Sequence, residues 1–240
     1  MQTISRKGDI QIEWEACKEV FNNEKMDLFI VTVHERILSQ KVKFPLLEYC
    51  AEEIYKLLPT YTQIPFCDAI EKLKTEGGNV ILGKILQLRL PQHFDQSLEK
   101  ATEYISKADI WYVCDIIGER VFGYALLHYP DKMLAEYKKL STHSTNWVVR
   151  SLGAGGHYAI KKGLSEKKVQ QLFEVLLTMA NTNDKEVRQG LGWAAKTTAK
   201  FHPDIISHFQ AEINNKNKVA NWFRKKIEIG LNRNAYAKGS

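Results

Sequence analysis

Three stretches in the second half of the chain repeat one pattern: WVVRSLG at 147–153, KEVRQGLG at 185–192 and NWFRKKIEIG at 221–230. Each stretch carries one arginine at a similar place, and these are Arg150, Arg188 and Arg224. The arginines are 38 and 36 residues apart. A period of this length is typical of helical hairpins that bury their apolar faces by stacking on one another. The pattern predicts an all-α fold, an α–α superhelix of HEAT-like repeats with a concave basic groove.

Helix signals continue outside these stretches, whereas strand alternation is nearly absent. The predicted helices are 12–22, 26–40, 45–58, 64–74, 79–89, 92–107, 111–128, 131–140, 146–161, 165–181, 184–200, 203–214 and 219–231. The period is hard to see in the first half. Because 240 residues fit one large domain, we expect residues 1–240 to form a single HEAT-like repeat domain.

Charge is distributed unevenly along the chain. Residues 1–120 hold 15 Lys and Arg against 19 Asp and Glu, whereas residues 121–240 hold 19 against 9. The net charges are therefore −4 and +10, which indicates that the C-terminal half faces a polyanion or presents a solvated basic surface. We expect double-stranded DNA as the partner. The residues predicted to contact it are Arg150, Arg188, Gln189, Lys196, Lys200 and Arg224.

Composition excludes several other classes of protein. The four cysteines form no C-x-x-C pair and the seven histidines show no metal-ligand spacing, so we expect reduced core cysteines, no metal and no cofactor. No apolar run reaches the roughly 20 residues of a membrane helix, and the N-terminus has no secretory signal. We therefore expect a cytoplasmic protein with no membrane association, acting as a monomer.

Two residues on the predicted helix 111–128 are candidates for chemistry. Trp111 and Asp115 are four residues apart and share a helical face beside the apolar stripe. Aspartate is unfavourable within an apolar helix, and a lone buried carboxylate is costly. Asp115 therefore either faces a groove or a partner, or has a structural role as a loop cap or in a pair with Arg150.

A second candidate face lies on the predicted helix 184–200, where Gln189, Trp193, Lys196 and Lys200 recur at spacings of 4, 3 and 4 residues. An aromatic surface interleaved with basic residues is typical of nucleic-acid binding. The alternative is that Trp193 packs against an adjacent repeat beneath lysine stems.

The segment SLGAGGHYAIKK at 151–162 is rich in glycine, but its spacing matches no phosphate-binding loop. Its small residues permit either close packing of helices or close approach of a DNA backbone.

Residues 105–209 resemble the DNA alkylation repair family of AlkD-like, HEAT-like DNA glycosylases. DIWYVCDIIGE at 109–119 is similar to the family's active-site helix, and NWVVRSLG at 146–153 carries the matching arginine. VRQGLGWAAKTTAKFHPD at 187–204 is similar to the next signature. The resemblance implies four catalytic residues, which are Trp111, Asp115, Arg150 and Trp193.

The reaction that this resemblance implies is hydrolysis of the N-glycosidic bond of cationic N3- or N7-alkylated purines in base excision repair, without base flipping. A cationic purine leaves without a general acid. Asp115 would stabilise the oxocarbenium-like sugar and position a water. Trp111 and Trp193 would frame the deoxyribose, and Arg150 would hold a phosphate.

Two other functions stay open at this point. One is a non-catalytic protein on the same scaffold that binds branched or bent DNA. This alternative is supported by a difference from the family pattern. The family usually has basic residues after the proline corresponding to Pro45, whereas here the proline is followed by Leu46, Leu47 and Glu48. The other is a protein-interaction solenoid whose basic face binds acidic peptides.

Overall fold

The computed structural model of the chain describes residues 3–21 and 26–238, with side chains described as far as residue 234. The chain packs as two compact units, Met1–Ser97 and Leu98–Ser240. The single domain over 1–240 stays a prediction. Nearly all regular structure in the described residues is helical, which confirms the all-α class.

The first unit contains five helices in its described part: α1 (Lys7–Glu19), α2 (Met26–Val33), α3 (Phe44–Leu57), α4 (Thr60–Lys72) and α5 (Glu76–Arg89). A π-helical turn, His34–Leu38, continues α2. The all-α fold has one small exception in this unit, because β1 (Thr3–Ile4) pairs in parallel with β2 (Lys41–Val42). A two-residue strand is too short to show the alternation that reveals strands in a sequence.

Two helix starts in the first unit differ from prediction by four residues or more. Helix α1 begins at Lys7 rather than at residue 12, since its N-cap Arg6 makes no side-chain cap that a sequence could reveal. The predicted end of this helix, residue 22, lies outside the described residues. Helix α4 begins at Thr60 and runs through Pro65, although proline is favoured in the first turn and costly further inside.

Helix α6 (Phe94–Lys107) leads from the first unit into the second. The remaining helices are α7 (Trp111–Ile117), α8 (Tyr124–His128), α9 (Pro130–Leu140), α10 (Asn146–Lys161), α11 (Glu166–Thr178), α12 (Lys185–Phe201), α13 (Pro203–His208), α14 (Gln210–Asn214) and α15 (Asn221–Lys238). A π-helical turn, Gly118–Gly123, joins α7 to α8. In this unit α10 packs against α7 and the π turn on one side and against α12 on the other, and α12 packs in turn against α15.

Contacts between neighbouring repeats recur at the predicted period. Asn146 Nδ2 donates to Asp184 Oδ2 at 2.7 Å across 38 residues, and Asp184 also caps α12. Lys168 forms an ion pair with Asp131 across 37 residues. These separations confirm the repeat architecture in the second unit.

Two further observations concern the chemistry of the chain. The four cysteines are free and buried, which confirms that they are core residues: Cys17, Cys50, Cys67 and Cys114. Within the described ranges, no helix has the length and apolarity needed to cross a bilayer.

Candidate active site

The first candidate residues lie at the start of α7, which begins directly after an extended Ile110. Trp111 occupies the first helical position and is 55% exposed. Asp115 follows one turn later on the same face and is buried. The structure therefore places an accessible indole beside a carboxylate that solvent barely reaches.

Asp115 is held by Arg150 of α10 in a two-pronged ion pair. Arg150 Nε donates to Asp115 Oδ1 at 3.0 Å and Nη2 donates to Oδ2 at 2.7 Å. The Asp115 side chain is 10% exposed and the Arg150 side chain is 5% exposed. This geometry is the strong, parallel form of an arginine–carboxylate contact. Of the two readings of Asp115, pairing with Arg150 is therefore present in the folded chain.

A third charged side chain completes this cluster. Arg150 Nη1 donates to Oε2 of Glu186, in the first turn of α12, at 2.7 Å, and the Glu186 side chain is 32% exposed. Arg150 thus joins three neighbouring helices through all three of its nitrogens. Burial opposes its charge, but the hydrogen bonds and charge of Asp115 raise the pKa of Arg150 above its ordinary value.

The Asp115–Arg150–Glu186 cluster contains more negative than positive groups. Two carboxylates face one guanidinium, so one formal negative charge is left uncompensated. Trp111 lies against the same cluster, with its ring centroid 6.0 Å from Arg150 Cζ. An aromatic face and an excess carboxylate, close together in a poorly hydrated place, both favour positive charge.

The π-helical turn Gly118–Gly123 directly follows the helix that carries Asp115. It starts at Gly118, where a Cβ atom would be 2.9 Å from the carbonyl oxygen of Ser151. Phe122 lies within this turn and is fully buried. Such turns are frequent at functional sites.

Glycines bring α10 and α12 into backbone contact beside the cluster. A Cβ at Gly153 would lie 2.0 Å from the carbonyl carbon of Gly190, and one at Gly190 would lie 2.2 Å from the carbonyl oxygen of Arg150. Of the two roles predicted for the small residues at 151–162, the structure shows close helix packing. The packing fixes the Arg150 backbone against α12.

Trp193 lies seven residues after Glu186, about two turns or roughly 10 Å further along α12. It is half-buried, and its ring centroid is 5.7 Å from that of His157 on α10. Thr197 Oγ1 donates to the Trp193 carbonyl at 2.8 Å and lies 2.7 Å from His157 Nδ1. His157 Nδ1 is then the donor to Thr197, and Nε2 is left as an acceptor.

His157 is uncharged at neutral pH. Burial, and then the charges of Lys161 and Lys196, lower the pKa of His157 to about 4. Trp193 therefore packs against the neutral imidazole of His157 in the adjacent repeat. The sequence had left this packing as an alternative.

The other residues predicted to contact DNA are spread over α12 and α15. Arg188 and Gln189 are exposed, and the Arg188 guanidinium carbon lies 5.6 Å from the centroid of the Trp222 ring. Arg224 Nη1 donates to the Val219 carbonyl oxygen, so that part of its guanidinium is occupied within the chain.

The remaining two predicted contacts, Lys196 and Lys200, are half-buried. The Lys200 ammonium lies 5.0 Å from the centroid of the exposed Phe201 ring. The structure thus brings Trp111, Asp115 and Arg150 together, and it places Trp193 and the predicted DNA contacts further along the same helices or on the next one.

The comparison with protein families identifies the family of the chain. A family model described as DNA alkylation repair enzyme matches residues 79–226, which is more than half of the chain. The chain belongs to the DNA alkylation repair enzyme family. Comparisons with curated proteins and with solved structures give no match. Membership in this family assigns the protein a role in DNA repair and confirms the resemblance that the sequence shows.

Sequence reasoning missed two residues within the segment that matches the DNA alkylation repair family. Glu186 lies 36 residues after Arg150, and His157 lies 36 residues before Trp193. Both separations equal the repeat period, so the register that connects Asp115 with Arg150 also points to these residues. The signal was present, but a glutamate at a helix start is ordinary and did not stand out.

Proposed function

We propose that this protein is a DNA glycosylase that excises cationic N3- or N7-alkylated purines from duplex DNA in base excision repair. The observation that carries the proposal is the Asp115–Arg150–Glu186 cluster beneath the exposed Trp111, in a member of the DNA alkylation repair enzyme family. It is an anionic site with an accessible aromatic face, which suits a substrate and a transition state that are both cationic.

In the proposed reaction the bond between C1′ and the purine nitrogen breaks, and its electron pair neutralises the alkylated base. The sugar gains positive charge, which the Asp115 carboxylate and the Trp111 face stabilise. A water then adds to C1′ and releases its proton to a carboxylate or to solvent. Glu186, the more exposed of the two carboxylates, is a suitable acceptor.

The role of Arg150 differs from the one expected from sequence alone. Three of its five N–H groups are donated to carboxylates and its side chain is only 5% exposed, so we expect a phosphate to reach it by displacing one of these partners. Glu186 is the partner to exchange, because it is more exposed than Asp115. We therefore propose that Arg150 first orients Asp115 and contacts DNA only through Nη1.

Trp193 would frame the lesion nucleotide from two turns further along α12. The exposure of Trp111 supports approach to the deoxyribose from outside the duplex, without extrusion of the base. The proposal includes a cytoplasmic monomer whose partner is double-stranded DNA. The test is release of free 3-methyladenine and 7-methylguanine from methylated duplex DNA.

A second candidate is a non-catalytic protein that binds branched or bent DNA. The observation that favours it is the internally satisfied Asp115–Arg150 pair, which a purely structural role would also produce. Duplex affinity that falls steeply with salt, without base release, would favour this function over the first. A weak salt dependence would instead indicate the acidic-peptide binder.

A further inference from the structure

Three cationic side chains converge where α12 packs against α15. The Lys226 stem crosses α12 at Gly192, where a Cβ would lie 3.0 Å from Lys226 Cε and 3.1 Å from its Cδ. Gly230 packs on the backbone of Lys196, with a distance of 2.3 Å from its would-be Cβ to the Lys196 carbonyl oxygen. Arg233 follows Gly230 by three residues, about one turn, and so lies on the same side of α15.

Among the residues that the structure describes, these three cations lack the acidic partners that other lysines have. Lys56 pairs with Glu53, and Lys139 pairs with Glu136, both one turn away on their own helix. Across the described part of the chain, no carboxylate forms an ion pair with any member of the converging group, which is Lys196, Lys226 and Arg233.

The neighbouring positive charges affect the pKa of Lys196. Burial, and then the charges of Arg233 and Lys226, lower its pKa. Cations held together without a counter-charge repel one another in the free protein, and a bound anion would relieve that repulsion. The folded chain therefore presents a preformed place for a negative group.

The surroundings indicate which anion this is. Trp193 lies one turn before Lys196 on α12 and packs against the neutral His157. Alternation of an aromatic ring with cations suits a phosphodiester backbone, in which each charge neighbours a sugar and a base. We propose that Lys196, Lys226 and Arg233 form a binding site for a DNA backbone phosphate, distinct from the Asp115–Arg150–Glu186 cluster.

This inference rests on the proposed binding of duplex DNA and adds Lys226 and Arg233 to the contact surface. Lys196 is ten residues from Glu186 along α12, or roughly 15 Å at 1.5 Å per residue. That span is about the rise of four base pairs at 3.4 Å each, so one duplex can reach both sites.

The experiment compares two double variants by fluorescence anisotropy with an undamaged, labelled duplex over a salt series. Lys226→Gln with Arg233→Gln removes two proposed contacts, and Lys138→Gln with Lys167→Gln removes two exposed lysines from α9 and α11. Each lost phosphate contact should reduce the slope of log affinity against log salt by about 0.9. We expect a reduction of about 1 to 2 in the first variant and an unchanged slope in the second.

Thermal melting distinguishes this role from a structural one. Removing two crowded cations should leave the melting temperature of the first variant unchanged or raised, whereas loss of a stabilising contact would lower it. If the parent binds duplex but both variants keep its slope, the phosphate site is refuted and the proposed function stands. If the parent itself does not bind duplex, the proposed function fails, and this inference fails with it.

Discussion

Replacement of Asp115 by asparagine should separate the chemical from the structural role of the Asp115–Arg150–Glu186 cluster. Asp115→Asn keeps the shape of the side chain and removes its charge. Its Oδ1 can still accept one hydrogen bond from Arg150, but the amide presents N–H groups where the guanidinium also donates. One prong of the ion pair is therefore replaced by a contact between two donors.

The size of the stability loss follows from the burial of the pair. Removing one partner of a buried ion pair costs about 3–5 kcal/mol when the other charge is left uncompensated. Here Glu186 remains 2.7 Å from Arg150 Nη1, and one hydrogen bond survives at Oδ1. We expect a loss of about 2–3 kcal/mol in the free energy of unfolding, and a melting temperature lower by roughly 4–12 °C.

The matched control is Asp109→Asn. Asp109 also accepts one hydrogen bond from the following repeat, from Trp147 Nε1 at 3.2 Å, but the contact is exposed. The backbone φ of Asp109 is 24°, in the left-handed region that asparagine tolerates. This control should lose less than about 1 kcal/mol and keep the parent's rate of base release.

Urea unfolding measures the stability, and single-turnover release of 7-methylguanine, at a temperature where all three proteins are folded, measures the chemistry. Loss of a preorganised electrostatic contact predicts a rate about 100- to 1000-fold lower for Asp115→Asn, with affinity for undamaged duplex little changed. A variant that is destabilised yet releases base as fast as the parent would refute the catalytic role and leave Asp115 as a structural partner of Arg150.

Two further predictions concern packing and pH. Gly190→Val places its Cβ about 2.2 Å from the Arg150 carbonyl oxygen, so urea unfolding should show a loss of about 3 kcal/mol or more in the free energy of unfolding. The control Gly8→Ala, whose Cβ would lie in open space, should be neutral or slightly stabilising. Equal stabilities of the two variants would contradict the backbone contact. The pKa of His157 is about 4 in the folded protein and ordinarily near 6.5, so the unfolded chain binds the proton first and stability should fall between about pH 6.5 and 4. This fall should be shallower in His157→Gln, and identical pH profiles of the unfolding free energy would contradict the assignment.

Much of the second half of the chain was predictable because local signals agreed with the repeat, although the predicted helix 203–214 is wrong in being one helix, since α13 and α14 divide it at Phe209. Helix α10 has the predicted bounds, and α12 begins one residue after its predicted start because Asp184 is a functional N-cap. The sequence offered Arg150 as a partner of Asp115, and the structure pairs them directly across 35 residues, close to one repeat period.

Other features depend on packing that no local pattern carries. The π turn after Asp115 forms where Gly118 meets the backbone of Ser151, a partner 33 residues away. The face of α12 that bears Trp193 has the same spacing whether the indole meets DNA or a neighbouring repeat, so the sequence alone left both open. The contact with His157 needed the structure.

The sequence also could not predict which carboxylate each nitrogen of Arg150 contacts. The period indicates that Asp115, Arg150 and Glu186 belong to one register, but not that the guanidinium uses all three nitrogens on the two carboxylates. That arrangement changes the expected role of Arg150 from a free phosphate clamp to the group that orients Asp115.

Base release from methylated duplex DNA tests the central claim most directly. The parent protein, incubated with N-methylated duplex and followed by separation of the free bases, should release 3-methyladenine and 7-methylguanine, and Asp115→Asn should release them about 100- to 1000-fold more slowly. If the parent binds the same duplex with a steep salt dependence and releases no base, the protein is not a glycosylase, and recognition of DNA without excision takes its place.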